Sequence, residues 1–358
     1  MSGAIPAHVL TGFLGSGKTT LLRHVLTSPG FSDCAVLINE FGEIGLDHHL
    51  IADVRGDVVL MQSGCVCCTI RGDLAESIRD LYARRERGEL RFSCVILETT
   101  GLADPMPILA TIMHEPQIRH HFRLGNVIAT VDGVNGAAQL DAQPESLRQA
   151  AAADRIVVTK ADLAEPAELD ALEARLARLN PTARRWRSAA PQFAIAARPK
   201  DSVRAIALPP ADLLIGQDAF AAESRATEIG DWASAERDRR DHLHAEDSSR
   251  HDRIHAFTIA FDGDVDWNAF AVWFTLLLHA HGANVLRVKG LLRVSGAPGP
   301  VVVNAVQHLV HAPFHLEAWP PDWHESRLVF IVRDLGQAAI KRSFAALQSA
   351  IAGLALSA

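Results

Sequence analysis

Cysteine is scarce in this chain of 358 residues, long apolar runs and an excess of positive charge are missing, and each lack closes off a class of protein. Five cysteines, an odd number, do not make the paired framework that staples small secreted domains, so a reducing cytoplasm is the expected address. No apolar run reaches the length of a membrane span. The opening "MSGAIPAH" lacks the charged-then-apolar layout of a signal peptide, and no membrane partner is expected. With 35 Lys and Arg against 42 Asp and Glu the net charge is −7, which offers nucleic acid no electrostatic footing. What is present, 48% hydrophobic and 22% charged residues, is the composition of an ordinary globular protein, and the length suggests two domains.

"AHVLTGFLGSGKTTLLRHVL" reads as an apolar strand, a glycine-rich turn, and a helix with an apolar face at Leu21, Leu22, Val25 and Leu26. Gly12, Gly17, Lys18 and Thr19 fit the phosphate-binding pattern G-x-x-x-x-G-K-[ST]. Glycines let successive backbone N–H groups curl around phosphates, and the helix that follows adds its positive end. The cradle spans Gly12, Gly15, Ser16, Gly17, Lys18, Thr19 and Thr20. Lys18 would reach the β- and γ-phosphates, and the Thr19 hydroxyl would ligate Mg²⁺. A chance match in an ordinary turn is the alternative; the flanking strand and helix make it rare. The reading is a nucleoside-triphosphate site.

Which base is held is read from "ADRIVVTKADLAEPAELDALEARLARL". A buried strand at 156–158 leads into Thr159, Lys160 and Asp162, which resemble the N-K-x-D guanine motif with Thr in place of Asn. One carboxylate suits the two adjacent donors of guanine, whereas adenine would leave it unpaired. A surface Lys–Asp pair at the start of a helix is the bland alternative. In "RFSCVILETTGLADPMPILATI" a strand apolar from Cys94 to Leu97 ends in Glu98, with Gly101 three residues on. A carboxylate at that strand end organises Mg²⁺ or water in P-loop enzymes, and Gly101 would let the backbone approach the γ-phosphate. "CAVLINEFGEIGLDHHL" runs from a strand into Glu40, Glu43 and Asp47, either a γ-phosphate sensor or a solvated acidic loop. That segment alone does not choose.

"GCVCC" places Cys65, Cys67 and Cys68 in four positions. Structural zinc sites close a tetrahedron with four protein ligands, and no second C-x-x-C stands anywhere in the chain. Two or three thiolates completed by Glu43, by water or by an exchanging partner ligand suit transfer better than storage. Thiolates favour Zn²⁺, Cu(I) or Co²⁺ over Mg²⁺. Three buried small hydrophobes or a redox dithiol are the other readings. Cys34 and Cys94, each beside a strand, read as free thiols filling the core.

A last strand of the nucleotide domain is expected near "TARRWRSAAPQFAIAA". Over 211–252 periodicity fades and charge rises, the composition of a linker. His242, His244, His251 and His255 cluster at its end, as solvated residues or as a loose metal tract. Beyond it, strand 256–261, helix 267–278, "NVLRVKGLLRV", "PVVVNAVQHLV" and "RLVFIVRD" suggest a small α+β domain. His308, His311 and His315 receive no ligand role.

"TGFLGSGKTTLL", "NEFGEIGLD", "GCVCC", "ETTGLADP" and "TKAD", in this order and spacing, resemble the CobW-type metallochaperone GTPases. The stretch "RIHAFTIAFDGDVDWNAFAVWFTLLLHAHGANVLRVKGLLRV" is similar to that family's carboxyl-terminal domain. The resemblance implies an α/β P-loop NTPase, a mostly parallel sheet flanked by helices, followed by a smaller α+β domain. The expected domains are a GTPase domain over 1–210, the linker over 211–252 and the carboxyl-terminal domain over 253–358. It implies GTP and GDP as nucleotides, Mg²⁺, and a transition metal, Zn²⁺ ahead of Co²⁺. Cys65, Cys67, Cys68 and Glu43 are then the zinc ligands and Thr19 the magnesium ligand, with Lys18, Glu98 and Asp47 serving hydrolysis. Where some members carry an acidic metal contact just before N-E-F-G-E, this chain has Ile38, so the completing carboxylate stays open. A client metalloprotein and a metal- or nucleotide-dependent homodimer are the implied protein partners. No arginine finger is evident, so slow intrinsic turnover is expected. The rival readings are a cobalt chaperone for cobalamin synthesis, a nitrile-hydratase-type activator, and a non-catalytic metal sensor or store.

Overall fold

Strands that are apolar from end to end need cover on both faces, and helices between them supply it. The computed structural model describes residues 4–28, 33–39, 61–62, 70–188, 254–261, 263–319 and 325–355. In chain order the first part holds β1 (Ile5–Gly12), α1 (Lys18–Thr27), β2 (Cys34–Asn39), β3 (Met61–Gln62), α2 (Ile70–Glu86), β4 (Cys94–Thr99), α3 (Met106–His114), α4 (Pro116–Arg119), β5 (Phe122–Asp132), α5 (Gly136–Ala142), α6 (Pro144–Ala152), β6 (Arg155–Thr159), α7 (Pro166–Leu179) and β7 (Arg184–Arg187). Its strands form one sheet in the order β3-β2-β4-β1-β5-β6-β7. Every pairing in it is parallel.

β1, β4 and β6 are buried along their whole length. α1 turns Leu21, Leu22, Val25 and Leu26 onto Leu10, Val36, Ile96, Ile128 and Val157 of the sheet. Each such side chain contributes roughly 1.5–3 kcal/mol by leaving water. β7, the expected last strand, is half-buried and carries arginines, as an edge strand tolerates. Because all strands run the same way, the loops after β1, β4, β5 and β6 emerge at one edge. That edge carries the site.

One expectation is corrected here. Cys34 and Cys94 are not free thiols: a disulfide joins them. The register of β2 and β4 sets Cys34 directly against Cys94, with their Cα atoms 4.7 Å apart, within the span a disulfide can bridge.

The second unit holds β8 (Ile254–Phe261), α8 (Trp267–His281), β9 (Val285–Leu292), β10 (Val301–Val306), β11 (Leu309–Val310), β12 (Phe314–His315), β13 (Ser326–Arg333) and α9 (Gln337–Ala355). Its sheet runs β11-β10-β9-β13-β8, antiparallel throughout, with β12 on β10. The Asp266 carboxylate caps α8 by accepting from the Ala269 N–H at 2.8 Å. One face of the sheet packs Phe261, Phe330 and Val303 against Phe270, Trp273 and Phe274 of α8. Phe344 of α9 closes this cluster edge-on to Trp273 at 4.8 Å and to Phe261 at 5.1 Å. The expected α/β sheet followed by a smaller α+β unit is what the chain forms. The linker expectation, with His242, His244 and His251, lies outside the described residues; His255 sits exposed on β8.

Candidate nucleotide site

The loop after β1 closes back on the strands beside it. At Gly12, φ +144°, any Cβ would overlap the Thr130 hydroxyl, so only glycine lets β5 come this close. Ser16, wholly buried, shares a hydrogen bond of 2.6 Å with Thr130 through their hydroxyls. Thr99 donates to the Thr11 hydroxyl at 2.9 Å, joining β4 to β1. Thr159 donates to the Ser16 carbonyl at 2.8 Å and reaches the Val131 carbonyl at 3.3 Å. A line of buried hydroxyls thus ties the phosphate loop to the ends of β4, β5 and β6. Each bond is worth about 1 kcal/mol net, and together they fix the loop before any ligand arrives.

Where the guanine motif has Asn, Thr159 uses its hydroxyl, not an amide, to tether the turn after β6 to the phosphate loop. Asp162, three residues on, is exposed. Lys160 adopts φ +54° and its ammonium reaches Asp132 at 2.5 Å. Asp132 ends β5, is 2% exposed, and also accepts the N–H groups of Val134 at 2.9 Å and Asn135 at 3.0 Å. Burial works against its ionisation, but the Lys160 ammonium and those two amides outweigh it and hold the carboxyl below its usual range. The sequence reading did not single out Asp132. The signal was there, since "VIATVD" is a buried strand ending in an acid, the same signal that marked Glu98.

On the phosphate side, Lys18 donates to the Gly12 and Phe13 carbonyls at 3.0 and 3.2 Å, folded along the loop. Thr19 donates to Glu98 Oε1 at 3.1 Å. The donor set there is a hydroxyl and a carboxylate, hard oxygens that fit Mg²⁺. Gly101 lies against the phosphate loop: a Cβ there would sit 2.5 Å from the Leu14 amide nitrogen. Gly15 and Thr20 are exposed at the mouth of the loop and Gly17 is partly so. The structure brings together Gly12 to Thr20, Glu98, Gly101, Thr159 and Lys160. Asp47, Glu43, Cys65, Cys67 and Cys68 fall outside the described residues. Among the described residues no cluster of His, Cys, Asp or Glu could hold a metal ion.

A glycine-rich loop between a buried parallel strand and a helix, with a hydroxyl and a carboxylate converging beside it, makes this a P-loop nucleotide-binding protein. Residues 6–187 match the CobW/HypB/UreG nucleotide-binding domain and residues 254–348 the cobalamin synthesis protein cobW C-terminal domain, and the chain belongs to the CobW family. It is 31% identical over 344 residues to the zinc chaperone YjiA of Escherichia coli, spanning 96% of this chain and 99% of that one. It is 28% identical to the zinc chaperone CobW of a Sinorhizobium species, spanning 96% and 98%. The zinc-regulated GTPase metalloprotein activator 1 of Schizosaccharomyces pombe is 31% identical over 49% of this chain and 44% of its own length. In fold, the crystal structure of Zn(II)-bound YjiA GTPase from E. coli superposes with a TM-score of 0.65 at 24% identity, covering 96% and 99%.

Proposed function

We propose that this GTPase carries a transition metal, zinc ahead of cobalt, and passes it to a client metalloprotein under control of its nucleotide cycle. The observation that carries the nucleotide half is the Thr159 hydroxyl on the Ser16 carbonyl at 2.8 Å. That bond joins the turn that would read guanine to the loop that would hold its phosphates, so base and phosphates are held in one frame. Asp162 reads the two adjacent guanine donors, and Lys160, pinned by Asp132, lines the base side. Lys18 leaves its loop carbonyls for the β- and γ-phosphates, exchanging neutral acceptors for negatively charged ones. Thr19 and Glu98 would hold Mg²⁺, which would neutralise charge on the phosphates. Glu98 and Asp47 are the candidates for orienting water.

The metal half rests on "GCVCC" and on relatives named as zinc chaperones. Cys65, Cys67 and Cys68, with Glu43, hold the ion as cargo; Glu43 and Asp47 stand in the segment after β2, whose order the γ-phosphate would control. Four large apolar side chains, Leu14, Leu102, Val134 and Leu163, are exposed on the loops after β1, β4, β5 and β6. An exposed apolar rim at the nucleotide edge is where we place the client or a second copy of the chain.

The test is a competition titration of Zn²⁺ against Co²⁺ with GTP and with GDP, repeated after replacing the three clustered cysteines by serine. Affinity should differ at least about fivefold between the nucleotides, the lower end of ordinary coupling, and the serine variant should lose it. Equal affinity in every state overturns the coupling. Lys18→Ala should abolish turnover; unchanged turnover overturns the nucleotide site.

A further inference from the structure

The loop after β4 is held from two sides. On one, Gly101 rests on the backbone of Leu14 in the phosphate loop. On the other, Gln149 of α6 donates its side-chain amide to the Gly101 carbonyl at 3.1 Å and to the Ala103 carbonyl at 3.0 Å. Arg148, the next residue on α6, reaches Asp104 at 3.7 Å. Asp104 in turn accepts the Met106 N–H at 3.0 Å and so starts α3. Within the loop, Ala103 N–H closes a turn on the Thr100 carbonyl at 3.1 Å. The segment between Glu98 and α3 is therefore positioned by α6, which is remote from it in sequence.

Gln149 is 1% exposed, and its buried Oε1 has no hydrogen-bond partner among the described residues. Ordering a long glutamine side chain costs entropy, and a buried acceptor left unmade costs the hydrogen bonds it had in water. An apolar side chain would avoid the buried acceptor but would take the donor away from the Gly101 and Ala103 carbonyls. A glutamine makes physical sense at a place where the backbone opposite presents carbonyls in one arrangement and N–H groups in another. Its amide offers two donors and an acceptor at one point, so it can hold either. Backbone flips of this kind are what a γ-phosphate asks of the loop that senses it.

We propose that Gln149 is the positioning residue that holds the loop after β4 in both nucleotide states: donors to Gly101 and Ala103 in the arrangement seen here, and Oε1 to a backbone N–H of the same loop when the third phosphate draws it in. This rests on the reading that Gly101 faces the γ-phosphate. Gln149 touches neither nucleotide nor metal. It sets the equilibrium between the two loop arrangements, and with it the fraction of bound GTP poised for hydrolysis.

Gln149→Met keeps length and volume but removes donors and acceptor; Gln149→Glu keeps the acceptors and removes the donors. Gln149→Met, which loses both, should lower kcat for GTP at least tenfold, whereas Gln149→Glu keeps the acceptor that serves the drawn-in arrangement and should hold kcat within about threefold while GDP binds more weakly. The affinity ratio of a non-hydrolysable GTP analogue to GDP should rise about tenfold in Gln149→Glu. A residue that merely packs would move stability and leave that ratio alone. Wild-type kcat and ratio in both variants overturn the proposal. If the variants do not fold, hydrogen exchange on the wild-type chain decides. Amides of 101–104 should change protection between the GTP analogue and GDP, and equal protection overturns the proposal. Lys18→Ala run alongside separates the two ideas. Normal hydrolysis there sinks the site reading itself, whereas a dead Lys18→Ala beside an unaltered Gln149→Met sinks only this inference.

Discussion

His8 spends the folded state as a neutral ring in the middle of β1. It is wholly buried, accepts the Asn126 N–H on Nδ1 at 3.1 Å, and keeps its proton on Nε2, which has no partner among the described residues. Burial foremost, then the positive charges of Arg123 and Arg155, push its pKa down to about 3. The unfolded chain takes up that proton near the ordinary value of 6.5, and the folded chain does not until about 3. Between those values the unfolded state holds more protons, so stability falls on acidification by about 1.4 kcal/mol per pH unit. By pH 5 the loss from this one group is about 2 kcal/mol. His8→Asn, which keeps an acceptor near Nδ1 and does not titrate, should show a shallower acid flank in denaturant titrations between pH 7 and 5. Parallel slopes for the two proteins would refute this. At this scale the sequence was readable where one residue type serves one chemistry: Lys18, Thr19 and Glu98 were marked by type and place. Gln149 was not. A lone polar residue in "RQAAAAD" carries no pattern, and its meaning depends on carbonyls about 46 positions away.

At the scale of elements, the parallel sheet turns strand ends into a site, because every strand delivers its last residue to the same edge. β4 delivers Glu98 and Thr99, β5 delivers Thr130 and Asp132, and β6 delivers Thr159. The opposite ends of β2 and β4 carry the disulfide between Cys34 and Cys94, which encloses a sequence separation of 60. In the chain-entropy picture a cross-link of that span stabilises by about 4 kcal/mol. Peptide mapping of the oxidised protein should recover Cys34 linked to Cys94, and reduction should lower the unfolding midpoint measurably. Two free thiols at these positions in oxidised protein would refute the link. Sequence reading placed both cysteines beside strands but had no access to the β2–β4 register, and only register sets one opposite the other.

The whole molecule divides into two compact units, each with a sheet and a core of its own. The second buries a continuous aromatic cluster, Phe261, Phe270, Trp273, Phe274 and Phe330, built from its own strands and helix. A fragment covering 254–358 should therefore fold alone, with one cooperative thermal transition and helix content matching α8 and α9. Gradual, non-cooperative melting of that fragment would show that its core needs the rest of the chain. No helix among the described residues is long and apolar enough to cross a membrane.

By itself the sequence determined the order of strands and helices, the phosphate loop, the acid after β4, the T-K-A-D turn and the thiol cluster. All are local patterns whose chemistry depends on neighbours a few residues away. Tertiary structure alone decided that Thr159 ties the turn after β6 to the phosphate loop, that Asp132 holds Lys160, that Cys34 meets Cys94, and that Gln149 grips the loop after β4. Those facts join residues far apart in the chain. They follow from strand order and register, and burial then requires each polar group so enclosed to find a partner that no local pattern names.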